Sequence, residues 1–152
     1  MREGEFAMDL QTVEVTLTRK DGYRFEVDWG IEGAPGGVLD EAPPLGAGAG
    51  PNPSRLVASA VAHCLSSSLL FCLAKSHASA DSVRAVARAE IQRNERGRWR
   101  LSRIRVELDP GVPTANSPEL ERCKGLFEDF CIVTESIRHG IPVDVSWKAS
   151  PP

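Results

Sequence analysis

Val13, Val15 and Leu17 alternate with Glu14, Thr16 and Thr18, and Tyr23, Phe25, Val27 and Trp29 alternate with Arg24, Glu26 and Asp28. A period of two on either side of Lys20-Asp21-Gly22 predicts a β-hairpin. A three-residue loop with Gly22 in the left-handed position opposes Leu17 to Phe25, Val15 to Val27 and Val13 to Trp29, whereas a two-residue loop sets Leu17 against Glu26. The first register keeps apolar residues together and is the one expected. It also places Arg19 on the apolar face beside Tyr23, with Arg24 on the opposite face. Gly30 to Gly37 is turn-rich, Val38-Leu39 fits one short strand, and Pro43 to Pro53 is a Gly/Pro/Ala loop of the kind that lies against something or lines a site.

The period then lengthens. Asn52 followed by Pro53 is a helix start, with Asn as N-cap and Pro at the first position, and apolar residues run from there to Ala78. Leu56, Val57, Ala60, Val61, Cys64, Leu65, Leu69, Cys72 and Leu73 cover most of the circumference, which predicts a central helix. From Ser82 the period returns to two through Val83, Ala85, Ala87, Ala89 and Ile91, and Asn94 to Gly97 turns into Trp99 and Leu101. The apolar set shifts to even numbers at Ile104, Val106 and Leu108, and one inserted residue near Ser102-Arg103 restores the face. Pro110 to Pro113 ends the strand. Asn116 to Glu119 caps a second helix carrying Leu120, Cys123, Phe127 and Phe130. Ile132 to His139 fits a short helix closed by Gly140, and Ile141, Val143, Val145 and Trp147 fit a final strand. The order ββ(β)α ββ αα β is an α+β chain of one domain, residues 9–150, without internal repeat or linker.

Composition narrows the class. A chain of 152 residues holds a core of its own. The net charge of -3 and a pI of 5.6 give no basic footprint, which argues against nucleic acid as a partner. The first eight residues contain acids and no apolar run follows, so cytoplasmic localisation is expected. Ser59, His63 and Ser66 to Ser68 interrupt the most apolar stretch, which reads as a buried helix and not a bilayer span.

Four cysteines, Cys64, Cys72, Cys123 and Cys131, show neither CxxC pairing nor zinc-ligand spacing. A site of Cys64, Cys131 and His63 for zinc is disfavoured by that spacing, and no metal is expected. In a reducing compartment a disulfide is transient and catalytic. Cys64 sits mid-helix among apolar neighbours, where a thiol is inert unless a cation approaches. Cys131 lies between two helical patterns, where its sulfur meets free N–H groups at a helix start. Arg19, turned inward by the hairpin register, requires an anionic partner, and a thiolate serves. His63 points about 100° away from Cys64 on a helix, against a Cys–His pair. Cys72 and Cys123 have core spacing and read as inert packing. Ser66 to Ser68 are expected to bond back to helix carbonyls where buried, and Tyr23, Trp29, Phe71 and Phe130 read most simply as core, with the lining of an apolar pocket for an alkyl substrate as the alternative for some of them.

Two segments carry a resemblance. Glu41 to Pro53 with Leu56 to Cys64 resembles the Gly-rich, Asn-Pro, Ala-rich-helix, Cys segment of the osmotically inducible protein C and organic hydroperoxide resistance (OsmC/Ohr) family. Phe130-Cys131-Ile132-Val133 followed by Ile141-Pro142-Val143 resembles that family's second motif. The resemblance implies an OsmC-like fold: an intertwined homodimer in which two antiparallel sheets wrap central helices, with sites at the subunit interface. It implies a thiol-dependent peroxidase reducing organic, and by extension inorganic, hydroperoxides in oxidative-stress defence. The residue matching Cys64 is the nucleophile and becomes a sulfenic acid. The residue matching Cys131 condenses with it to a disulfide, and an external dithiol reopens the bond, without a bound cofactor. Arg19 matches the family's thiolate-stabilising arginine, with Arg24 as the fallback.

Two positions depart from the family. Its acid near the loop-to-helix junction falls on Ser54 or Arg55, and Ile132 stands where proline is common. Arg55 lies about 180° around the helix from Cys64 and does not replace the acid, whereas Asp40 or Glu41 offers a carboxylate from the loop. The loss of that acid motivates the alternative reading, a catalytically weakened protein that binds a small apolar ligand.

Overall fold

The computed structural model describes residues 10–111 and 116–148, in which two antiparallel sheets and three α-helices give the expected α+β architecture. The chain divides after Pro53 into two compact units.

The first unit is a three-stranded antiparallel sheet of β1 (Thr16–Asp21), β2 (Arg24–Asp28) and β3 (Gly37–Leu39), in that order. Its register differs from the expected one. Gly22, at φ 45°, and Tyr23 make a two-residue turn between the paired Asp21 and Arg24, and a bulge between Arg19 and Asp21 absorbs one position. Leu17 therefore faces Val27, and Arg19 faces Phe25. The bulge keeps the apolar residues on one face, as the alternation requires, while the Asp21–Arg24 ion pair closes the shorter turn. Val13 and Val15 precede the first paired residue and stay exposed. Val27 is buried, but Leu17 and Tyr23 remain about half exposed.

The Gly/Pro/Ala loop after β3 is organised by a buried carboxylate. Asp40 accepts hydrogen bonds from the backbone N–H groups of Glu41 (2.8 Å), Ala47 (3.1 Å) and Ala49 (3.1 Å). Two glycines let the chain pass this closely, because a Cβ at Gly46 would strike the Asp40 carboxylate and the Glu41 carbonyl, and one at Gly50 the Val38 carbonyl.

The second unit is built around α1 (Pro53–Lys75), which starts at the expected proline. By length and composition α1 resembles a membrane span. However, Ala58, Val61, Leu65, Ser68, Leu69, Cys72 and Leu73 are buried, with Val61, Leu65, Leu69, Cys72 and Leu73 packed into two core clusters. The helix ends where His77 takes a left-handed φ of 58° and the Ala78 N–H reaches back to the Leu73 carbonyl. β4 (Arg84–Arg93) and β5 (Trp99–Asp109) form a long hairpin, and its ladder steps from Glu90↔Arg103 to Ile91↔Leu101. Ser102 is thus the extra residue expected from the phase shift, and its hydroxyl bonds the Glu90 carbonyl at 3.1 Å. The bulge turns Ile104, Val106 and Leu108 toward the core clusters. β5 ends before Pro110; Val112 and Pro113 of the expected stop and the first nine residues lie outside the described residues.

The second helix is shorter than its apolar spacing suggests. α2 (Pro118–Lys124) is capped by Ser117, stops at Gly125, and is followed by a 3₁₀ turn at Phe127–Phe130. Leu120 and Cys123 are buried, whereas Phe130 stays half exposed against Phe71, ring centroids 5.6 Å apart. The four aromatics read as core, Tyr23, Trp29, Phe71 and Phe130, all keep over a third of their surface exposed in the single chain. α3 (Ile132–His139) has the expected bounds and is closed by Gly140 at φ 80°. The final strand is not formed. Ile141, Val143, Val145 and Trp147 are exposed and pair with no strand among the described residues, so their alternation has no ladder to stabilise it.

Candidate active site: two thiols at the start of a helix

Cys131 is the residue at which the chain leaves the 3₁₀ turn and enters α3. Its extended backbone (φ -83°, ψ 95°) makes it the N-cap, and its carbonyl accepts the Glu135 N–H at 3.1 Å. Below it pass Val61 and Leu65 of α1, with Cys64 between them on the same core side. Cys64 and Cys131, distant in sequence, thus meet as a hydrogen-bonded pair of free thiols. Cys131 has no exposed surface, whereas Cys64 is half-buried.

The two sulfurs are electrostatically unequal. Burial pushes the Cys64 thiol up, and so do its hydrogen bond to Cys131 and that sulfur's charge; the N–H groups of Val133 and Thr134, in the first turn of α3, only partly offset this. Burial also acts upward on Cys131. It is outweighed by hydrogen bonds from Cys64, from the Thr134 hydroxyl and amide, and from Ser68, so the net shift is downward. The Thr134 Oγ1 lies 2.9 Å from the Cys131 sulfur. Of the two sulfurs, the enclosed Cys131 is therefore the more readily deprotonated and Cys64 the less.

The expectation that free N–H groups at the helix start meet the Cys131 sulfur agrees with its bond from the Thr134 amide, whereas the amides of Val133 and Thr134 also reach Cys64, which was not expected. Val133, Thr134 and Ser68 were not singled out from sequence. The residues two and three places after an N-cap carry free amides, which was the available signal for Val133 and Thr134. Ser66 bonds back to the Ala62 carbonyl at 2.8 Å as expected, but buried Ser68 serves Cys131. His63 is exposed, on a different side of α1 from the buried face.

Arg19 belongs to the first unit, where its Nε donates to the Gly22 carbonyl at 2.9 Å. Asp40, offered from sequence as a replacement acid, is committed to its own loop. The Ala49 amide lowers its pKa most, burial opposes this, and the Ala47 and Glu41 amides and the charge of Arg24 add to the lowering. Beside the thiols a cavity of about 340 Å³ is walled by Val61, Leu65, Ile104, Val106 and Ile137. Glu128, Thr134 and Arg138 supply its polar edge, with Arg138 held by Glu135 and Glu128. Cys72 and Cys123, expected to be inert packing, are joined in a disulfide within the other core cluster.

Comparison with known proteins bears on the fold and the family. An OsmC-like protein of unknown function from Vibrio cholerae superposes with a TM-score of 0.67 at 16% identity, over 84% of this chain and 94% of that one. An organic hydroperoxide resistance protein OsmC from Legionella pneumophila gives 0.59 at 20% identity, over 86% and 91%. The organic hydroperoxide resistance protein OhrB of Bacillus subtilis gives 0.59 at 20% identity, over 86% and 93%. These likenesses establish the fold. No curated protein matches the chain in sequence. The family model described as OsmC-like protein matches residues 46–146, a stretch that includes both free cysteines. On that match and that fold, the chain is a member of the OsmC-like protein family.

Proposed function

We propose that the chain is a two-cysteine thiol peroxidase for organic hydroperoxides, with Cys64 as nucleophile and Cys131 as resolving residue. The observation that carries this reading is the unequal pair: one half-open thiol hydrogen-bonded to one enclosed sulfur that favours the thiolate. Access sets the order of events. The Cys64 thiolate attacks the O–O bond, the alkoxide leaves and takes a proton, and Cys64 becomes a sulfenic acid. Amides of Val133 and Thr134 stabilise that thiolate, as donors at a helix start do. Cys131 then attacks the Cys64 sulfur, hydroxide leaves as water, and the disulfide forms; a dithiol from solution reopens it by exchange. The apolar wall of the neighbouring cavity, Val61, Leu65, Ile104, Val106 and Ile137, suits the alkyl group of an organic hydroperoxide.

In this reading Arg19, with Arg24 as fallback, supplies the cation that offsets the upward push on Cys64. The working form is a homodimer, supported by the exposed apolar positions of β1 and of residues 141–147. Localisation is cytoplasmic. The alternative, a weakened relative that binds an apolar ligand, is favoured by one observation: Ser54 and Arg55 stand where the family's acid is expected, and Asp40 is engaged by its loop.

Thiol titration before and after one equivalent of cumene hydroperoxide decides between them. Two reactive thiols per chain fall to none, a Cys64–Cys131 disulfide maps by mass, and Cys64→Ser brings hydroperoxide consumption to background. Unchanged consumption in that variant sinks the peroxidase, and saturable ligand binding without oxidation selects the alternative.

A further inference from the structure

Cys72 follows Cys64 by eight positions on α1, and Cys131 follows Cys123 by eight on the segment that crosses it. Cys64 meets Cys131, and Cys72 is bonded to Cys123, so the four cysteines form two rungs between the same two stretches of chain, running antiparallel. The midpoints are occupied too. Buried Ser68 reaches Cys131, and Phe127 packs against both core clusters.

The two rungs differ in surroundings. Cys72 is 8% exposed and Cys123 not at all, enclosed by Leu69, Leu73 and Leu120. A thiolate attacks a disulfide only if it reaches one sulfur, and that apolar wall excludes it. The rise of a helix puts Cys72 about 12 Å along α1 from Cys64, too far for direct exchange between rungs. Between Cys123 and Cys131 the chain breaks helix at Gly125 and passes through a 3₁₀ turn, so no continuous helix holds Cys131 in place.

We propose that Cys72–Cys123 is a resident disulfide that positions Cys131 opposite Cys64, a non-reacting rung that holds the reacting one. The inference rests on the reading of Cys64 and Cys131 as a redox pair. The bond forms once, during folding, by exchange with a disulfide oxidant: two protein thiols give up two protons and two electrons, and the oxidant's disulfide opens to two thiols; its apolar enclosure then keeps it from the reductants that make accessible disulfides transient in a reducing compartment. In each later cycle the peroxide oxidises Cys64 alone, and the second rung neither gains nor loses electrons.

The wild-type protein gives the first test. With dithiothreitol under native conditions, two thiols titrate, mapped to Cys64 and Cys131, and the other two appear only when the protein is unfolded in the same reductant. Four thiols appearing together in the folded protein overturn the proposal. This count judges the resident bond whether or not hydroperoxide is a substrate. Positioning is read from the equilibrium of the Cys64–Cys131 disulfide with glutathione in a Cys72→Ala, Cys123→Val variant. The expected result is a shift of about tenfold or more toward the dithiol, together with a Tm lower by roughly 10 °C. A lowered Tm with an unchanged equilibrium constant overturns positioning, because a merely structural staple moves only the first. If the variant does not fold, fully reduced wild type refolded with one equivalent of oxidised glutathione takes its place. The disulfide recovered is Cys72–Cys123 if the proposal holds, and recovery of Cys64–Cys131 instead overturns it.

Discussion

The β1–β2 ribbon and the β4–β5 ribbon begin from the same kind of alternating pattern and reach different ends. On β5, Ile104, Val106 and Leu108 pack against core clusters that include Val61, Leu65, Leu69 and Leu73 of α1. On the first ribbon, Leu17 stays 49% and Tyr23 47% exposed, with Val27 buried between β1 and β3. Alternation states which residues share a face, but what covers the face is a separate fact. The β4–β5 ribbon has its cover within its own unit, and the first ribbon's apolar face is largely uncovered in the single chain.

The sharpest way to break this contrast is truncation on each side. Leu73, without exposed surface, lies at the centre of one core cluster, and Leu73→Ala is expected to cost about 2–5 kcal/mol in urea unfolding. Leu17→Ala is expected to cost less than about 1 kcal/mol, since a half-exposed side chain gives up little buried area. Equal costs would show that the ribbon face is covered in solution as completely as the core.

The C-terminal segment extends the contrast. Ile141, Val143, Val145 and Trp147 alternate as a strand does, yet they remain exposed and unpaired among the described residues. If a second copy supplies the missing edge, the Val145→Ser, Trp147→Ser double variant raises the dimer dissociation constant about a hundredfold in sedimentation analysis, a large anchor residue being removed. Its intrachain unfolding in dilute solution stays near wild type. A dimer of unchanged affinity removes this segment from the interface.

What was legible in the sequence follows the same division. The Ser102 bulge and the bounds of α3 were readable because a phase shift and a Gly cap are local signals. The first hairpin's register was not, because a bulge at Lys20 preserves the apolar face and leaves no mark on the alternation. The break in α2 was hidden for a similar reason: Phe127 and Phe130 continue the helical spacing, although Gly125 interrupts it. At the site, both free cysteines were identified from motif and position. The bond between Cys72 and Cys123 was not, since a disulfide depends on the approach of two helices that spacing within either one does not encode. The donors Val133 and Thr134 act chiefly or partly through backbone N–H groups, which residue identity does not report.

The covered side also sets the reactivity of Cys64, and here the contrast becomes chemical. Burial raises its pKa most, followed by the hydrogen bond to Cys131, with that residue's charge adding to the rise. Its thiolate is therefore scarce below the ordinary thiol range and increases as pH rises beyond it. Cys131→Ser removes the charge and the thiolate acceptor, so the iodoacetamide titration curve of Cys64 moves to lower pH and alkylation at neutral pH quickens about tenfold. A curve that does not move assigns the rise to burial alone.

On the uncovered side, Asp40 takes over the organising role that packing has elsewhere. Its folded pKa is depressed below the ordinary value of 3.8, first by the Ala49 amide, so the stabilisation it gives is fully present above that value. It is lost as pH falls through the depressed folded value. Asp40→Asn keeps one acceptor oxygen but no charge, and the amides of Ala47 and Ala49 are expected to exchange about three- to fivefold faster near neutral pH. The difference from wild type shrinks in acid, where the wild-type carboxyl is itself protonated. Exchange unaltered at both pH values would mean that the close passages at Gly46 and Gly50 hold the loop without the carboxylate, and the first unit would then owe its order to backbone geometry and not to charge.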